Sequence, residues 1–189
     1  MRTLVRTSYL EMLSPAALRP SPRVPADVLL RRAGIPSPEL NRFLYTAVGG
    51  GWHWRDRLPW TWAQWIAWLG RPEVETWVLY KNGTPAGYFE LEAQMGGSVE
   101  IAYYGLLPSF TGQGLGGYLL TQAAERAWTM RPPPEVRRIW VHTCTMDHPG
   151  ALANYRARGF QVFKEEEAEL DLPETPPGPW PGAEPPTVR

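Results

Sequence analysis

The stretch Val99 to Leu120, VEIAYYGLLPSFTGQGLGGYLL, constrains this chain more than any other. Val99, Ile101 and Tyr103 alternate with Glu100, Ala102 and Tyr104, the period-two pattern of a strand. Pro108 has no backbone donor, so the strand ends near Leu107. Gly112, Gly114, Gly116 and Gly117 follow, and Leu115, Tyr118, Leu119, Gln122, Ala123 and Arg126 then fall at helical spacing. A helix that begins inside a glycine loop presents unpaired N–H groups and the positive end of its dipole. That is a seat for an anion, usually a phosphate, and glycine lets a diphosphate approach the backbone closely.

Two other phosphate-binding patterns fit less well. No Lys-Ser or Lys-Thr follows the glycines, so the loop used for nucleoside triphosphates is absent. Gly112, Gly114 and Gly117 satisfy the letters of the dinucleotide fingerprint GxGxxG. However, a loop containing Pro108 separates them from the strand, and the next strand ends in His142, Thr143 and Cys144, with no acidic residue to hold a ribose.

Leu106 to Gly116, LLPSFTGQGLG, resembles the acetyl-CoA signature of the GNAT superfamily of N-acetyltransferases. In that signature a hydrophobic residue, any residue and a proline precede Arg/Gln-x-x-Gly-x-Gly/Ala; Thr111 stands at the usual Arg/Gln position. A second element, His148 to Phe160, HPGALANYRARGF, is similar to the family's Asn-x-x-Ala-x-x-x-Tyr-x-x-x-Gly-Phe, with His148 at the usual Asn. The resemblance covers residues Val74 to Lys164.

The resemblance implies an α/β (α+β) fold, with a mixed, mostly antiparallel central sheet and helices on both faces. It implies acetyl-CoA as the acyl donor and a small-molecule or peptide amine as the acceptor. The backbone of Leu106 and Leu107 is then expected to bond the pantetheine arm and polarise the acetyl carbonyl, a use of fixed donors at a developing oxyanion. Thr111, Gly112, Gln113, Gly114, Leu115, Gly116 and Gly117 are expected to hold the pyrophosphate, chiefly through backbone amides. His148 either contacts pantetheine or simply begins a helix. Tyr155 matches the family tyrosine that protonates the departing thiolate, and a phenol is suited to that task. Glu100 is the first candidate for the base that takes the acceptor's proton, with Glu90, Glu92 and Tyr104 as fallbacks. Trp52 and Trp54, with His53, Asp56 and Tyr104, are expected to build the acceptor wall, since rings and a carboxylate attract a cationic amine. Cys144 reads as a small strand residue rather than a nucleophile.

Composition narrows the alternatives. Formal net charge is zero, which argues against a broad nucleic-acid or anionic-membrane surface. One cysteine allows no internal disulfide, and three histidines without HxxxH spacing make a metal site improbable. No apolar run approaches the length of a membrane span, and MRTLVRTSYLEM reads as a strand rather than a signal peptide, so cytoplasm is the default location. A homodimer is left open. The rival classes are a catalytically silent acyl-CoA-binding domain, a nicotinamide oxidoreductase, and a tryptophan-rich interaction module whose glycines are structural.

Along the chain, Thr3 to Met12 reads as a strand, followed by a proline-rich loop from Ser14 to Pro38 that can hold a short strand near Val28 to Arg31. Ser37-Pro38-Glu39 opens a helix, and Thr61 opens a second one, whose Trp62, Trp65 and Trp68 suit core packing. Glu75 to Tyr80 and Pro85 to Gln94 form a hairpin through Asn82-Gly83 and feed the central strand. The glycine helix runs to about Met130 and is stopped by Pro132 to Pro134; a strand follows over Val136 to Thr143, then a helix from Pro149 to Arg158 and a strand from Phe160. Strand-helix-strand crossovers predict local parallel pairing. Residues 1–172 are expected to form one domain with its core at 74–164, and residues 173–189, with seven prolines, a poorly ordered or surface-draped tail.

Overall fold

The computed structural model describes residues 2–130 and 135–178. Seven strands and four helices follow in order: β1 (Arg2–Met12), β2 (Val28–Arg32), α1 (Pro38–Gly49), α2 (Trp62–Leu69), β3 (Val74–Lys81), β4 (Thr84–Gln94), β5 (Ser98–Leu106), α3 (Leu115–Thr129), β6 (Arg138–Cys144), α4 (Ala151–Ala157) and β7 (Gln161–Asp171). The sheet order is β2-β3-β4-β5-β6-β1-β7. Among the described residues only β5 and β6 pair in parallel; the other neighbours are antiparallel. The mixed, mostly antiparallel sheet expected from the sequence is therefore present. One crossover differs from expectation. The path β6-α4-β7 does not make β7 a neighbour of β6, because β1 lies between them and pairs antiparallel with both.

Local chemistry accounts for the elements. The Ser37 hydroxyl accepts from the Leu40 N–H at the start of α1, and Thr61 and Gln64 form a reciprocal capping box at α2. Asn82 and Gly83 both take positive φ, as a two-residue hairpin turn between β3 and β4 requires. The proline-rich segment after β1 drapes over α3 and α4: the Ser21 N–H donates to Thr121 Oγ1 and the Arg19 N–H to Arg158 O. The triple proline at 132–134 lies outside the described residues. Of the tail, Gly178 donates its N–H to Gly50 O, so its described part lies against the end of α1.

The sheet separates two cores. On one side α3 and α4 cover Phe89, Leu91, Val99, Ile101, Ile139 and Val141. On the other, α1 and α2 cover Val78, Tyr88 and Tyr103. The strict alternation predicted for β5 fails at one residue. Glu90 pairs with Tyr103 but Leu91 pairs with Ile101, so Ala102 is an extra residue, a β-bulge. The bulge sends Tyr103 to the α1/α2 side and Tyr104 to the side of Ile101, the reverse of period-two reading.

A buried ion pair lies under α2. Arg57, 5% exposed, donates through Nη1 to Glu90 Oε1 at 2.8 Å, and Glu90, 1% exposed, also accepts from Trp68 Nε1 and Asn41 Nδ2. The guanidinium lies 4.4–4.6 Å from the ring centres of Trp60, Trp68 and Tyr103. Of the tryptophans expected in the core, Trp65 is buried and Trp68 covers this pair, whereas Trp62 is 59% exposed and donates to Glu39. Glu90 is thus a structural carboxylate. Replacing it by Gln leaves the buried guanidinium without a counter-charge, and a loss of about 3 kcal/mol in unfolding free energy is expected in urea titrations.

Candidate functional site

The parallel β5–β6 ladder is short: Ser98 pairs with Arg138, Val99 with Ile139 and Glu100 with Trp140, and there it stops. The bulge at Ala102 follows directly, bending β5 and raising its twist. Between the two strand ends lies a cavity of about 520 Å³. Its walls are Ile101–Leu106 of β5, Val141–Cys144 of β6, the glycine loop before α3, the buried face of α4, and the Trp52–Asp56 loop after α1.

One end is the mouth of α3. Gly112 and Gly114 take positive φ, and Gly114 is the N-cap, with no side chain bonded to the first turn of the helix. Thr111, where the family signature carries Arg or Gln, donates its hydroxyl to Pro108 O, and Gln113 donates to Ser109 O and accepts from Lys81. These two side chains brace the loop. Thr111, Gly112, Gly114 and Gly116 line the cavity; Gln113, Leu115 and Gly117 do not, and Leu115 is fully buried as the anchor of the helix. Leu106 lines the cavity, whereas the Leu107 N–H is engaged with Ala86 O in the sheet, which removes it as a free donor for a pantetheine arm. Two arginines not singled out from the sequence flank this mouth. A Cβ on Gly114 would lie 2.8 Å from Arg23 Nη1, and one on Gly117 would lie 2.6 Å from Arg158 Nη1. Arg23 arrives from the draped proline segment, a long-range placement that no local pattern announces. Gly114→Ala would meet both the left-handed backbone and Arg23, and so distort the mouth of α3.

Tyr155 of α4, 5% exposed, lines the cavity, its ring packed on Phe160 and Tyr104. Burial raises its pKa well above the ordinary phenol value, so it holds its proton. Tyr104 also lines the cavity, but its hydroxyl donates to Gly116 O and accepts from Asn154 Nδ2, tying α3 to α4. It stands at the α3 end rather than among the aromatic residues of the opposite wall. Glu100 does not line the cavity. Its carboxylate accepts from Gln94 Nε2 at 2.8 Å and lies 3.6 Å from His142 Nδ1. His142, which no sequence motif singles out, lines the cavity itself. The Glu100 carboxylate raises its pKa above the usual histidine value, with smaller contributions from Asp147 and Asp56. Glu92 is paired with Arg71. Burial pushes the Cys144 thiol up, away from the thiolate form.

The other end is aromatic and acidic. Asp56 accepts from Tyr45 at 2.6 Å and from the Tyr103 hydroxyl. Asp147 accepts from Trp54 Nε1, Thr143 Oγ1 and the Cys144 N–H. Trp54 packs over Gly49, where a Cβ would be 2.3 Å from the indole, and Trp52 meets the His148 ring edge-on at 5.2 Å. His148 lines the cavity and accepts through Nδ1 from the Gly150 N–H, so it also shapes the turn that opens α4.

A family model for the acetyltransferase (GNAT) family matches residues 39–160, well over half of the chain. S-alkylcysteine N-acetyltransferase of Bacillus subtilis (strain 168) is 31% identical over 72 residues, 38% of this chain and 39% of that protein. Among solved structures, a GCN5-related N-acetyltransferase from Sphaerobacter thermophilus superposes with a TM-score of 0.64 at 18% identity, over 90% of this chain and 55% of its own. A GCN5-related N-acetyltransferase from Kribbella flavida gives 0.60 at 22%, over 85% of this chain and 56% of its own. The chain thus spans just over half the length of these solved structures and about two fifths of the curated relative.

Proposed function

Because the chain belongs to the acetyltransferase (GNAT) family, we propose that it is an N-acetyltransferase carrying an acetyl group from acetyl-CoA directly to a primary amine. One observation carries this reading: a single cavity joins the glycine mouth of α3 to the Trp52–Asp56 loop through the β5–β6 split, with Tyr155 and His142 on its wall. The cradle of Gly112, Gly114 and Gly116, flanked by Arg23 and Arg158, suits a diphosphate. Acetyl-CoA would supply an activated thioester, from which the acyl group passes to the amine nitrogen as the thiol leaves.

The residues divide the proton work. His142 takes a proton from the acceptor ammonium through Nε2, since Nδ1 faces Glu100; Glu100 orients the ring and supports the cation that forms. The Tyr155 phenol, held protonated by burial, gives its proton to the departing sulfur. Direct transfer fits better than an acyl-enzyme, because Cys144 remains a thiol. Residues 1–172 form the working unit. Titration calorimetry with CoA and acetyl-CoA tests the carrier site, with micromolar binding expected. No heat from either, on a folded protein, would end the proposal.

A further inference from the structure

The acceptor end of the cavity has an electrostatic imbalance. Asp56 and Asp147 both line it, and every group bonded to them is neutral: two phenols on Asp56, and an indole, a hydroxyl and a backbone amide on Asp147. Among the described residues neither carboxylate is in an ion pair, and no lysine or arginine lines the cavity. The buried cation Arg57 is committed to Glu90 and boxed by Trp60, Trp68 and Tyr103. A carboxylate accepts up to about four hydrogen bonds, so both retain capacity toward the cavity. Trp52 and Trp54 add ring surfaces, which favour a cation over an anion.

An acceptor nitrogen must shed its proton before it attacks, so it is neutral when it reacts. Its charge passes to His142, so a single imidazolium stands against three carboxylates, Glu100, Asp56 and Asp147; a second cationic group on the acceptor reduces that deficit. An α-amino acid would instead bring its own carboxylate beside the reacting nitrogen, with no guanidinium or ammonium on the wall to receive it. Resting on the acetyl-transfer reading above, we infer that the acceptor is a diamine or polyamine: one amine presented at His142, a second held as a cation by Asp56 against the tryptophan wall, and no carboxylate beside the reacting nitrogen. In this respect the pocket departs from the amino-acid acceptor named for the Bacillus subtilis relative.

The test compares matched probes by CoA-thiol release with acetyl-CoA: 1,5-diaminopentane, lysine (the same skeleton with a carboxylate), n-pentylamine (without the second cation) and S-methylcysteine. The expected kcat/KM for 1,5-diaminopentane exceeds each of the other three at least tenfold. In Asp56→Asn the ratio of diaminopentane to pentylamine is expected to fall toward one. The ratios on the unsubstituted protein need no variant, so a poorly folded Asp56→Asn leaves the comparison intact. Lysine or S-methylcysteine matching or exceeding the diamine overturns the inference, as does no turnover of any probe by a protein that binds CoA. Absence of CoA binding overturns the acetyl-transfer reading itself.

Discussion

Tyr155→Phe is expected to lower kcat by about 10²–10⁴-fold, the range spanned by a lost general acid, while leaving CoA affinity within twofold. The substitution removes one oxygen from a ring already packed against Phe160 and Tyr104, so the core around α4 keeps its volume. What disappears is a phenol whose proton burial secures; of the other two phenols on the cavity wall, Tyr103 is bonded to Asp56 and Tyr104 braces α3. The loss should appear in kcat rather than in KM, because the proton moves only in the transition state. Stopped-flow or steady-state thiol release measures kcat, calorimetry measures affinity, and a thermal melt controls for folding. An unchanged kcat would strike Tyr155 from the reaction. A parallel loss of CoA affinity would make it a packing residue of the carrier site instead.

The parts of this molecule legible in its sequence are those set by neighbours along the chain. The glycine loop and its helix announce themselves because backbone freedom, helix capping and i, i+4 spacing are local physics, and the Tyr155-Arg-Ala-Arg-Gly159-Phe160 segment is legible through its resemblance to a family motif. The Asn82-Gly83 hairpin is legible for the same reason. What escaped depends on residues far apart in the chain. The bulge at Ala102 leaves no compositional mark, yet it exchanges the faces of Tyr103 and Tyr104 and helps part β5 from β6. Arg57 and Glu90 meet across 33 positions, and Arg23 reaches Gly114 only because the proline segment folds back over α3. Helical spacing groups Trp62 with Trp65 and Trp68, yet Trp62 is exposed while Trp65 is buried, because α2 is covered on one side only.

Glu100 shows the same limit at the site, and its partner gives the second large expected effect. His142→Gln is expected to reduce kcat by about 10²–10⁴-fold, by removing from the cavity wall the group proposed to receive the acceptor's proton. Its pH signature is specific. The base works only when neutral, so kcat/KM should fall as pH drops through the His142 pKa, which lies above the ordinary histidine value. Around the ring stand Glu100 from β5, Asp147 and Asp56 across the cavity, Tyr9 of β1 with its ring centre 5.9 Å away and Trp140 of β6 with its ring centre 6.2 Å away. The three carboxylates all raise the pKa, and Glu100 contributes most. Glu100→Gln therefore lowers it, and the acid limb of the profile should move to lower pH, while the basic limb, set elsewhere, stays in place. Maximal kcat should fall as well, since the imidazolium that forms loses its counter-charge. A Glu100 that acted itself as the base would behave differently: its loss would abolish the acid limb instead of shifting it. An unmoved limb in Glu100→Gln, together with full activity in His142→Gln, would assign the proton to another group.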